Sequence, residues 1–168
     1  MRVGTLAIIV VSASTVAART PAARTPDVAA VYTAAQADAG KTAIQQNAFG
    51  DCRACHTTAL TGRTGAGGEL PTLASLPEDY RKLVTGNGGR VPPLVGPEFV
   101  SRWSNRSTRH LVAEFTERFS PPLSVDTRLE IIAYMLQASG APAGADPLTS
   151  ATDVSIASLF EPRASSQK

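Results

Sequence analysis

The chain has 168 residues, a mass of 17.5 kDa and a formal net charge of +2 from 16 basic and 14 acidic side chains. That length suits one domain with tails rather than two, and no run of Lys and Arg forms a stripe that would follow a phosphate backbone, so a nucleic-acid partner is not expected. Hydrophobic residues make up 43% but aromatics only 5%, and a core so rich in small alanines ordinarily needs a disulfide, a metal or a large cofactor as a staple.

Residues 1–18 have the pattern of a secretory signal peptide. Arg2 opens it, Val3 to Val11 is apolar, and small residues from Ser12 to Ala18 place the cleavage near Ala17 or Ala18. A retained anchor is the competing reading. The uncharged stretch ends at Arg19 and is short for a membrane span, so export to the periplasm without stable membrane insertion is expected. Residues 19–30 repeat Arg-Thr-Pro and read as a flexible linker.

From Val31 to Phe49, the spacing of Val31, Ala35, Ala39, Ala43 and Ile44 predicts one helix, weakened at Gly40 and ended by Gly50. Residues 56–77 carry several glycines and prolines and read as a loop. Ser75-Leu76-Pro77-Glu78 has the form of a capping box for a short helix through about Val84, which Gly86-Asn87-Gly88-Gly89 ends. Gly96-Pro97 puts proline at the first position of a helix to about Trp103. Ser107 is the expected N-cap of a helix to about Phe119, with Leu111, Val112, Phe115 and Phe119 on its apolar face. Ser120-Pro121-Pro122 breaks that helix. Ser124 caps the last one, where Leu129, Ile132, Ala133 and Leu136 recur at helical spacing before Gly140 stops it. Residues 145–168 read as a C-terminal tail, in which Ile156, Leu159 and Phe160 form a patch able to dock. About four or five helices and no convincing strand result, an all-α chain with long Pro/Gly loops.

Cys52-Arg53-Ala54-Cys55-His56 carries the chemistry. Cys-x-x-Cys-His is the attachment signature of c-type haem. Two thiols three residues apart can reach the two vinyl groups of one porphyrin, and the adjacent His56 can then present its imidazole to the iron. One covalent haem c would also supply the apolar bulk that the alanines lack. Three other readings compete. A thioredoxin-like redox pair would follow a strand, and none precedes Cys52. A zinc site needs about four ligands, and His110 is the usual partner that remains. A structural disulfide over so short a loop would stabilise little.

With these residues the chain resembles the class I cytochrome c family, most closely the single-haem domains and subunits found with bacterial dehydrogenases, including quinoprotein ones. The resemblance covers about Val31 to Gly144. It runs from Val31-Tyr32-Thr33-Ala34-Ala35-Gln36-Ala37 through Gly40 to the haem motif. It continues in Pro92-Pro93-Leu94-Val95-Gly96-Pro97-Glu98-Phe99 and Trp103, and ends in Ile131-Ile132-Ala133-Tyr134-Met135-Leu136-Gln137 and Gly140-Ala141-Pro142-Ala143-Gly144. It implies helices wrapped around one covalent haem over residues 31–144. Cys52 and Cys55 would be the thioether carriers and His56 the proximal iron ligand. A Pro-x-Leu-x-Gly carbonyl would accept the proximal imidazole N–H. Pro92, with Leu94, fits that part, and Pro71-Thr72-Leu73-Ala74-Ser75 is the alternative. Trp103 and Tyr134 would pack near the haem and the terminal helix interface, with plain core as the competing reading for Tyr134.

The family's distal ligand is usually a methionine just before a proline, ahead of the last helix; here Ser120 occupies that place. Met1 leaves with the signal peptide. Met135 inside the last helix and His110 near the start of the Ser107 helix are weak candidates, with a core methionine and a surface histidine as the competing readings. The sixth ligand is therefore unassigned, although Ser120 could hold a water or hydrogen-bond a bound ligand. Loss of a sulfur ligand should lower the reduction potential and open the iron to small molecules. Two functions follow from the resemblance. The first is a non-enzymatic electron carrier that cycles between ferric and ferrous iron, with a dehydrogenase or respiratory components as redox partners. The second is a haem protein that binds or senses a small gas at an open distal site.

Overall fold

The computed structural model describes residues 28–46, 51–63, 78–119 and 123–161. Among them the chain is all-α with no strand. The helices are α1 (Ala34–Gln45), α2 (Arg53–His56), α3 (Glu78–Gly86), α4 (Pro97–Trp103), α5 (Thr108–Phe119) and α6 (Val125–Ala138), followed by a 3-10 turn at Ala157–Leu159. Isolated antiparallel bridges join Arg63 to Val91 and Ser107 to Ser155. The expected signal peptide, residues 19–27 of the linker, Gly50, Ser75, the Pro71 segment and Ser120 lie outside the described residues. No helix among the described residues is long and apolar enough to cross a membrane.

Helix α1 starts three residues later than its apolar spacing predicts. Thr33 is extended at the N-cap, and its hydroxyl accepts from the Gln36 N–H at 3.1 Å. Val31 and Tyr32, ahead of it, serve the core instead. Tyr32 is fully buried, its hydroxyl donates to the Ala141 carbonyl, and its own carbonyl accepts from the Gly144 N–H at 2.7 Å. Ala29 is buried as well, so the end of the expected linker is already packed against the domain.

The main helix pairing is α1 against α6. Helix α1 buries Ala37, Gly40 and Ile44, and α6 buries Leu129, Ile131, Ile132, Ala133, Met135 and Leu136. Gly40, which propensity alone reads as a weak point, lies where the two backbones meet. A Cβ there would overlap the Glu130 carbonyl. The propensity cost of glycine in a helix, about 1 kcal/mol, is offset by the close approach. Each Leu- or Ile-sized side chain buried at this crossing contributes about 1.5–3 kcal/mol.

The sequence signals for the later helices coincide with the elements. Gly96, at φ 87°, precedes Pro97 at the first turn of α4, and its N–H donates to Ser139 Oγ at 3.1 Å, tying α4 to the end of α6. Ser124 Oγ accepts from the Thr127 N–H at 3.1 Å and caps α6. Gly140, at φ 101°, ends it, with the Ala141 N–H returning to the Leu136 carbonyl at 3.0 Å.

Residues 145–161, read from the sequence as part of a tail, are packed into the fold. Leu148, Ile156 and Leu159 are fully buried and Phe160 packs against the core. Polar anchors hold the segment in place. The Gln36 side chain brackets Leu148, with Nε2 donating to its carbonyl at 2.9 Å and Oε1 accepting its N–H at 2.8 Å. The buried Thr108 hydroxyl donates to the Thr152 carbonyl at 2.9 Å and accepts from the Val154 N–H at 3.0 Å. The sequence reading of Ile156, Leu159 and Phe160 as a patch able to dock agrees with this packing, whereas Leu148, isolated among small and polar residues, gave no such signal.

Candidate functional site

Helix α2 is a single turn, too short to be stable alone. Its neighbours hold it. The Asp51 carboxylate accepts the Arg53 backbone N–H at 2.9 Å and grips the Arg53 guanidinium at 2.6 and 2.9 Å. That pairing holds the Asp51 carboxyl below its usual range. The Cys52 N–H donates to the Ile44 carbonyl at 3.0 Å, which fixes the turn to the end of α1. Arg63 reaches back from the following loop, its Nε donating to the Cys55 carbonyl at 3.1 Å.

This turn places Cys52 and Cys55 three residues apart, on one helical face, and both are partly buried. Burial pushes the Cys55 thiol up from its ordinary pKa, against the opposing charge of Arg63. No strand precedes the turn among the described residues, so the strand that leads into a thioredoxin-type pair is not seen there. Among the described residues no group of three or more His, Cys, Asp and Glu side chains is placed to hold a metal ion, which leaves the zinc reading without its ligands.

His56 follows Cys55 at the end of α2. Its Nδ1 lies 2.8 Å from the Pro92 carbonyl oxygen. A carbonyl only accepts, so Nδ1 carries the proton. Burial pushes the ring pKa down and the Pro92 hydrogen bond partly opposes it, so the ring is neutral near pH 7 and Nε2 keeps its lone pair. The ring is thereby oriented and made a donor through one defined nitrogen. Of the two Pro-x-Leu segments, the one at Pro92 thus meets His56. Leu94 is tied to the same region by its N–H, which donates to the Leu60 carbonyl at 2.8 Å.

No protein-family model, curated protein or solved structure matches the chain.

The remaining residues singled out in the sequence fall in different places. Trp103 is buried at the end of α4, its ring 6.5 Å from Phe99 at 43°, with the Arg106 guanidinium 5.4 Å above it. Tyr134 is partly buried on α6 and packs against the core with Cys52, Leu94 and Val100. Met135 is buried within α6, 2% exposed. His110 is exposed in the first turn of α5, and its Nδ1 pairs with Ser107 Oγ at 3.0 Å. Asp51, Arg53, Gly62 and Arg63 shape the site without having been singled out. An aspartate just before the cysteine motif is a helix-start signal and could have revealed Asp51. The long-range partners of Arg63 carry no comparable signal.

Proposed function

We propose that the chain is an exported, single-haem c-type cytochrome of the class I kind. It would be an electron carrier or the haem subunit of a dehydrogenase, working in the periplasm between a donor and a downstream acceptor. The observation that carries this reading is the 2.8 Å pairing of His56 Nδ1 with the Pro92 carbonyl, one residue from a pair of thiols on the same turn.

The residues fit such a group through the chemistry of the donor set. Cys52 and Cys55 share a face and suit two thioether bonds. His56 is neutral and keeps Nε2 available as a ligand. Cys52, Leu94, Val100 and Tyr134 are each partly buried against the core, and such half-covered apolar side chains suit contact with a flat apolar ring. When bound, haem supplies an iron that gains and loses one electron.

The chain's own residues then do the positioning. Pro92 holds the Nδ1 proton of His56 and so raises the basicity of the ring, which favours ferric iron and lowers the potential. Asp51 and Arg63 brace the turn that carries the thiols. Electron transfer asks for no catalytic acid, base or nucleophile. A dehydrogenase or respiratory component is the class of partner that fits this function.

The test is an absorption spectrum of the exported, matured chain, reduced, with and without carbon monoxide. A covalent haem spectrum unmoved by carbon monoxide is expected and supports electron transfer. A spectrum shifted by carbon monoxide would replace that function with small-ligand binding. No haem absorption would overturn both.

A further inference from the structure

The Pro92 carbonyl does not reach His56 by chance of loop packing. Residues 57–63 leave α2, turn back and clamp the 91–94 segment. Arg63 and Val91 exchange two backbone hydrogen bonds at 2.8 and 3.2 Å, and the Leu94 N–H donates to the Leu60 carbonyl at 2.8 Å. At the centre is Gly62. Its N–H donates to the His56 carbonyl at 3.0 Å. A Cβ on it would lie 2.5 Å from the Val91 carbonyl oxygen, 2.6 Å from the Pro93 nitrogen and 2.7 Å from the Pro92 carbonyl carbon. All three are backbone atoms, so no side-chain rotation would relieve the overlap. One face of Gly62 is bonded to the ligand residue, and the other lies directly on the peptide whose carbonyl orients the ligand ring.

We infer that Gly62 is a positioning residue, which sets the Pro92 carbonyl against His56 Nδ1–H through its missing side chain. Any side chain at residue 62 would push the 91–93 backbone away and break the hydrogen bond that orients the ring. The loop reaches this arrangement through unusual backbone. Thr57 and Leu60 have φ of 71° and 60°, and Gly62 has 77°. Non-glycine residues in that region are strained and persist only where the surroundings hold them.

Two effects of Gly62→Ala can be separated, because the chain contains a matched control. Gly89 has the same φ of 77°, and a Cβ on it would meet nothing within 4 Å. Gly89→Ala therefore carries the backbone strain alone, and Gly62→Ala adds the displacement of Pro92.

The experiment uses the full chain, matured in an exporting host and labelled with 15N-histidine. In the wild type and in Gly89→Ala, the His56 Nδ1–H should show the shift and slow exchange of a proton hydrogen-bonded to a carbonyl. In Gly62→Ala that signal should be lost or moved, and the reduction potential of the haem-loaded protein should shift upward, since the ring becomes a poorer donor. An unchanged His56 signal in Gly62→Ala would overturn the inference. The potential readout rests on the proposed haem reading, but the ring signal does not. If the wild type carries no haem, that reading fails and the ring signal still decides the role of Gly62. Should Gly62→Ala not accumulate, hydrogen exchange in the wild type serves instead. The Arg63 and Leu94 amides should be protected equally, as both open only when the loop leaves 91–94. Unequal protection would overturn the clamp.

Discussion

The middle of helix α1 and the chain beyond its C-terminal end meet surroundings of opposite kinds. Around Gly40 the chain is held by side-chain packing, where α1 lies directly on the α6 backbone and Leu148, Ile156 and Leu159 complete a buried apolar cluster. Beyond Ile44, around α2, the chain is held by backbone hydrogen bonds and a carboxylate–guanidinium pair, with both cysteines and His56 only partly buried. Packing energy is spent on the helix crossing, whereas the site is built by direction. The Pro92 carbonyl faces His56 Nδ1 and the Gly62 N–H faces the His56 carbonyl, with Leu60 the buried apolar side chain of the 57–63 loop. Such a division suits a domain in which one side is protein core and the other side receives a large apolar group.

Substitutions can break or sharpen this contrast. The largest effect is expected for Leu159→Ala, at about 3 kcal/mol in urea denaturation of the matured chain. A neutral result would show that the C-terminal segment does not belong to the packed side. Gly40→Ala comes next, at about 2 kcal/mol, because the added Cβ meets backbone rather than a side chain that can turn aside. Stabilisation, the usual outcome of replacing a helical glycine by alanine, would contradict the close approach of α1 and α6.

Tyr32→Phe should cost about 1 kcal/mol through loss of its buried bond to the Ala141 carbonyl. Its effect on pH dependence is more specific. Burial pushes the Tyr32 phenol up from 10.0 to about 12. The folded state therefore favours the neutral phenol, and this contribution to stability is present below pH about 10 and is lost as pH rises toward about 12. The wild type should lose stability across that window more steeply than Tyr32→Phe. Parallel curves would place the phenol in water.

The smallest effect belongs to the site. Arg63→Ala removes bonds to the Cys55 and Ala54 carbonyls at 3.1 and 3.3 Å, and should cost about 0.5 kcal/mol. A loss as large as that of Leu159→Ala would erase the distinction between the two sides.

The same division decides what was legible in the sequence. Local chemistry could be read directly. Pro97, Ser124 and Gly140 mark helix ends because caps act within one turn, and Cys52, Cys55 and His56 form a contiguous motif. What depends on distant chain was not visible. Gly40 looks like a helix defect until Glu130 is placed beside it, and Gly62 looks like one loop glycine among several until Pro92 is. In the segment from residue 145 to 161 the apolar patch at Ile156, Leu159 and Phe160 could be read, but the anchors on Gln36 and Thr108 could not, because they act on backbone groups of distant chain. The one-turn helix α2 escaped for a related reason, since it is stabilised by Asp51 and by the chain on either side rather than by propensity.

The central claim is that Cys52 and Cys55 carry a covalent haem on the turn that ends at His56. The most direct measurement is the intact mass of the full chain after export and maturation, for the wild type and for the double variant Cys52→Ala, Cys55→Ala. The wild type is expected to exceed its polypeptide mass by one haem after denaturation, and the double variant to show polypeptide alone. A wild-type chain that shows only its polypeptide mass, under conditions where the host attaches haem to other exported proteins, would contradict the claim.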